Sequence, residues 1–100
     1  MGVQCKSLII MITIIWTEYL KYRSNLRGFD IQKIEDILRY SDEKYFDNAT
    51  YRMVAVGNHN NQLVMIPYEK SSNNEIIPVT IHATSRQQIN YRLKSGRFTK

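Results

Sequence analysis

With Cys5 as its only cysteine, this 100-residue chain can build neither an internal disulfide framework nor a thiolate cluster for structural zinc. A reducing compartment fits that usage, and a cytoplasmic protein is expected. Histidine is almost as scarce. His59 and His82 are the only two, and after Val56 the acids and histidines together are too few to assemble a metal site. The chain contains no HExxH pair, no Gly-rich phosphate loop and no serine nucleophile elbow, so metal-dependent hydrolysis is not expected and no cofactor is implied. Long apolar runs are missing too. The stretch from Leu8 to Trp16 falls well short of the roughly 20 residues a membrane helix needs. Lys6 precedes it as a signal-peptide n-region would, but no small-x-small cleavage site follows Trp16. Residues 1–10 add little to the pattern and are set apart as an N-terminal extension. Met1 and Met11 both remain open as natural starts, and residues 11–100 are read as one domain around one core.

The most informative absence concerns charge of one sign. Residues 1–75 hold nine basic and nine acidic side chains, which cancel. After Glu75 no acid occurs, and Arg86, Arg92, Lys94, Arg97 and Lys100 supply the whole net charge of +5. Segregation of this kind builds a one-sided positive potential that attracts a polyanion and speeds its association. The same run would also serve as a plain solubilising tail.

Local signals divide the chain into an α+β pattern. The β-branched run from Ile12 to Trp16 reads as a buried strand. Thr17 can cap a helix reaching about Asn25, with Glu18 in its first turn and Gly28 as its stop. Asp30 can cap a second helix, in which Ile31, Ile34, Ile37 and Leu38 recur on one face. Three β-rich runs follow, Tyr51 to Val56, Leu63 to Tyr68 and Ile76 to Ala83, separated by turn-rich segments 57–61 and 70–74. They predict an antiparallel meander. Pro67 and Pro78 cannot donate to a ladder and should sit at a bulge or an unpaired edge. Thr84 can cap a final helix from Ser85 to Ser95, closed by Gly96, with Ile89 and Leu93 as a narrow apolar stripe.

Alternation in the third run places Ile77, Val79, Ile81 and Ala83 toward the core and Ile76, Pro78, Thr80 and His82 away from it. His82 then stands beside the start of the helix carrying Arg86. A helix N-terminus and a guanidinium at such a corner make a plausible anion cradle. Each residue also has an ordinary structural reading. His82 can be a plain sheet-surface residue, and Arg86 can bridge an earlier acid. Tyr91 can lay its ring on the sheet edge, and Arg52 can be a cross-strand ion partner. His59, in a turn-rich segment, reads as a solvated loop residue without a role.

Two stretches carry a family resemblance: Tyr51-Arg52-Met53-Val54-Ala55-Val56-Gly57 with Leu63-Val64-Met65-Ile66-Pro67-Tyr68, and Ile81-His82-Ala83-Thr84-Ser85-Arg86 through Tyr91. They resemble the BrnT-type toxins of bacterial type II toxin-antitoxin systems, within the RelE-like ribonuclease superfamily. Trp16 also sits where those proteins carry a tryptophan. The chain departs from the family in having Gln87 in place of a glutamate and Arg27 before Gly28 in place of a histidine. Loss of the carboxylate bears on catalysis more than on RNA binding. The Arg27-Gly28-Phe29 junction is similar to another small domain family of related architecture as well.

The resemblance implies a RelE-like α+β fold of two N-terminal helices, an antiparallel sheet of about four strands and a C-terminal helix. It implies a cytoplasmic endoribonuclease acting on mRNA, free or on the ribosome, without a metal, and paired with a cognate antitoxin. In that reading the ribose 2′-hydroxyl attacks the adjacent phosphate. Arg52 and Arg86 stabilise the developing charge, and His82 or Tyr91 moves protons. Arg92, Lys94 and Arg97 hold the RNA backbone without reading sequence.

Overall fold

The computed structural model describes residues 12–72 and 74–100. The expectations for residues 1–10 and for Met11 as a start lie outside the described residues. In chain order the elements are β1 (Thr13–Ile14), α1 (Glu18–Leu26), α2 (Ile31–Tyr40), β2 (Lys44–Asp47), β3 (Arg52–His59), β4 (Gln62–Ser72), β5 (Glu75–Pro78), β6 (His82–Ala83), α3 (Arg86–Lys94) and β7 (Phe98–Thr99). The α+β class holds, but the sheet departs from the sequence expectation. Among the described residues it has seven strands in the order β1-β5-β4-β3-β2-β7, with β6 also on β4. It is mixed, because β1 runs parallel to β5 while the other pairs are antiparallel.

The helices form where local capping directs them. Thr17 Oγ1 accepts from the Leu20 N–H, and Asp30 Oδ1 accepts from the Gln32 N–H. Gly28, at φ +80°, takes the left-handed position after α1 that an L side chain rarely adopts. The cap of α3 is Ser85, one residue later than Thr84, with its Oγ accepting from the Gln88 N–H.

The sheet has two covered faces. Helix α2 lays Ile34, Ile37 and Leu38 on Ala55, Val64, Ile66 and Ile76 to form the larger core. Gly57 is required there, since a Cβ would lie 2.8 and 2.9 Å from two Cγ atoms of Ile37. On the opposite face Ile89 of α3 packs with Tyr45, Val54, Val56 and Phe98.

The strand that sequence reading left unassigned, β2, alternates in reverse: Tyr45 and Asp47 are buried while Lys44 and Phe46 are half-buried. The run from Ile12 to Trp16 contributes only Thr13–Ile14, at the sheet edge rather than buried within it. Tyr51 is outside β3, in a turn at φ +59°. The hairpin after β3 is tighter than segment 57–61 implied. The strand continues through His59, and Asn60 and Asn61, both at positive φ, make a two-residue loop.

The third run reverses the expected phase as far as Val79 and again at Ala83, which is exposed, while Ile81 is buried and His82 exposed as expected. Ile76 and Pro78 are buried, Val79 is 37% exposed, and the strand breaks at residues 79–81 before β6. Pro67 explains the position of the break. The Val79 N–H donates to the Pro67 carbonyl, so the side of Pro67 that lacks an N–H faces the interruption.

Candidate anion-binding face

Alternation through the ladder sets the residues of the α3 face in rows. Met65 is opposite Val56 on one side and His82 on the other, and Asp47 is opposite Arg52. Helix α3 lies over these rows.

The converging cluster expected from sequence is not formed. Arg86 makes a two-pronged contact with Glu43, Nη2 donating to Oε1 at 3.0 Å and Nη1 to Oε2. The Tyr45 hydroxyl also donates to Glu43 Oε2, at 2.7 Å. The guanidinium of Arg86 holds the Glu43 carboxyl below its ordinary value of 4.5, despite some burial. Burial and that carboxylate push the Tyr45 hydroxyl up to about 12. Arg52 belongs to a different pair, its Nε donating to Glu69 Oε2 at 2.9 Å. Arg52 stands opposite Asp47 and Glu43 bonds beside Val56, so the two arginines are anchored four strand residues apart, about 13 Å along β2. Arg97 grips Asp47 with two bonds of 3.0 and 3.1 Å. Burial pushes the Asp47 carboxyl up, but Arg97 and the Ala49 N–H outweigh it and leave it below 3.8.

Arg92 is different. No carboxylate pairs with it among the described residues, and its Nη1 is buried without a hydrogen-bond partner. Its guanidinium lies 5.7 Å from the centre of the Phe98 ring. Packing of this kind, with an aliphatic stem over apolar surface, is an ordinary structural use of arginine. It leaves the Nη1 donor unanswered, at a cost of about 1–3 kcal/mol for a buried unsatisfied group. The guanidinium borders a groove of about 510 Å³ lined also by Ser85, Gln88, Tyr91, Ser95 and Arg97, none of them acidic. Tyr91 is 71% exposed, and Lys94 is exposed on the same helix.

His82 is exposed on β6 as expected, facing the α3 side. Partial burial of the ring, then the charges of Arg27 and Arg92, keep its imidazole below 6.5. Arg27 donates to the Ile81 carbonyl at 3.0 Å and stacks over Phe29, so its cation is fixed beside His82 from the α1 side.

His59 contradicts its reading as a solvated loop residue. It is 5% exposed, and its Nε2 accepts the Asp30 N–H at 2.9 Å, which ties the hairpin to the start of α2. Sequence reasoning also missed Glu43 and Arg27. Glu43 lies just before the unassigned strand, and Arg27 had only its place before a helix-ending glycine to mark it. Among the described residues no three His, Cys, Asp or Glu side chains gather at one point, and no helix is long and apolar enough to cross a membrane.

Comparison with protein-family models, with curated proteins and with solved structures finds no match to this chain.

Proposed function

We propose that this protein grips single-stranded RNA on the α3 face and cleaves it without a metal, as the toxin of a cytoplasmic type II toxin-antitoxin pair. The observation that carries the reading is Arg92, a cation with no carboxylate partner among the described residues, in a groove whose lining holds no acid. A phosphate in that groove would meet the positive charge of Arg92 with no acid competing for it. Tyr91, presented to solvent, offers a base a stacking surface of about 1–3 kcal/mol. Lys94 adds backbone attraction.

In the cleavage step the ribose 2′-oxygen bonds to phosphorus as the bond to the 5′-oxygen breaks. His82 accepts the 2′-hydroxyl proton, the leaving 5′-oxygen takes a proton from water, and a cyclic phosphate remains. Arg92 offsets charge on the phosphoryl oxygens. Arg86 and Arg52, first expected in that role, are engaged by Glu43 and Glu69 and act here by fixing the edges of the face.

A second reading, RNA binding without cleavage, is favoured by those same two ion pairs together with Gln87, which supplies no proton acceptor. Labelled single-stranded RNA incubated with purified protein, with and without ribosomes, separates the two. Wild type should bind and cut. Arg92→Ala should bind more than about tenfold more weakly and lose growth arrest on induction, since one charge-assisted contact is worth about 1.5–3 kcal/mol. Arg86→Ala should keep most of its RNA affinity. Unchanged binding by Arg92→Ala would overturn the site, and a gel shift without any cleavage would leave the binding-only reading.

A further inference from the structure

A second acid-free cleft lies on the other side of β6. It has a volume of about 230 Å³, and its walls include Tyr19, Arg23, Ser24 and Arg27 of α1 and its cap, with Val79 and Thr80 from the strand break. Arg23 and Arg27 stand one helical turn apart. The negative end of the α1 dipole makes it easier to hold two cations together there, and that alone would be a structural explanation. Ser24 is not covered by it. The residue is 1% exposed, yet its Oγ has no hydrogen-bond partner among the described residues. A buried hydroxyl at the wall of a doubly cationic cleft lacks an acceptor that an anionic oxygen would supply.

The position of the cleft connects it to the α3 groove. Ile81 lines the cleft and Ser85 lines the α3 groove, so His82 on β6 lies in the short stretch of chain that joins them, and Arg27 donates to the Ile81 carbonyl at 3.0 Å. Arg23, Arg27 and Arg92 have no carboxylate partner among the described residues, whereas Arg52, Arg86 and Arg97 are paired. Arg23 and Arg27 thus line the α1 cleft, and Arg92 the α3 groove, as cations not offset by an acid.

We infer that the α1 cleft is a second phosphate site for the same RNA strand, which runs from the Arg92 groove past His82 to Arg23, Ser24 and Arg27. This rests on the RNA reading above, and it adds the path of the ligand. A trinucleotide occupies the Arg92 groove alone. A dodecanucleotide reaches both sites.

Fluorescence anisotropy with labelled oligouridylates of those two lengths tests the path, using Arg23→Gln and Thr80→Glu. Arg23 contacts the exposed Tyr19, its hydroxyl at 2.9 Å and its ring centre at 5.7 Å, and Thr80 supplies a second variant that puts a carboxylate into the cleft without touching an arginine. Both variants should bind the dodecanucleotide several-fold more weakly. Arg23→Gln should also flatten the salt dependence by about 0.7 in log–log slope, the value for one lost single-strand phosphate contact. Both should bind the trinucleotide as wild type does. Wild-type affinity and slope for the dodecanucleotide in both variants would overturn the second site while leaving the Arg92 groove intact. Equal weakening for both lengths would overturn the separate-site geometry. If wild type binds neither oligonucleotide, the RNA reading has failed and the path falls with it.

Discussion

The two faces of the sheet bury apolar groups against helices in contrasting ways. Among the described residues, nine buried ones form one cluster on the α2 side, from Ile34 through Ile81, with Trp16 and Phe29 packed against it. Under α3 the buried cluster has five members, and it is rimmed by Arg86 on Glu43 and Arg97 on Asp47. Burial of apolar area is the dominant favourable contribution to folding, so the α2 face carries most of the stability. The α3 face keeps less of it and presents charge instead. The thinner core is what leaves room for Arg92 and the groove beside it.

The sharpest way to break this contrast is to cut the same side chain from both faces. Ile66 and Ile89 are each fully buried. Ile66→Ala, in the middle of the sheet, should lose about 4 kcal/mol by urea denaturation, and Ile89→Ala about 2–3 kcal/mol, because a single helix on a small core can settle into the vacancy. Equal losses would mean that the faces share the load. A smaller effect is expected where α2 comes closest to the sheet. Gly57→Ala forces a methyl group against the body of the Ile37 side chain and should cost about 2 kcal/mol in the same measurement.

The smallest effect concerns acid. Glu43 and Asp47 both have folded-state values below their ordinary 4.5 and 3.8. A carboxyl lowered in this way contributes its full stability above its ordinary value and loses it as pH falls through the folded one. The urea midpoint should therefore drop as the pH is taken below about 4.5 and on below 3.8. Asp47→Asn should cost about 1 kcal/mol at neutral pH, where its ionised partner Arg97 is half-exposed, and should flatten the acid decline. An unaltered acid limb in that variant would show that the rim pairs add nothing to the α3 face.

Helix positions were legible because their signals are local. Thr17, Gly28 and Asp30 act within a few residues of themselves, and the spacing of Ile34, Ile37 and Leu38 marks a buried face without knowledge of what it meets. Strand β2 was not legible for the opposite reason. Its inward positions include Asp47 and its outward ones include Phe46, since a distant Arg97 answers the buried carboxylate. The phase of the third β run depends on Pro67, which lacks a donor where residues 79–81 break from the ladder. At the candidate site, sequence turned His82 away from the core, where it is exposed, but it grouped Arg52 with Arg86 when each has its own acid.

The chain by itself determined the capped helices, the β-rich middle and the acid-free basic end, because caps, periodicity and composition act through neighbours in the covalent sequence. Only the tertiary structure decided which cations are neutralised. Glu43 reaches Arg86 across 43 residues and Asp47 reaches Arg97 across 50. A Coulomb interaction depends on distance in space, so the fold alone sets which charges are left for a ligand.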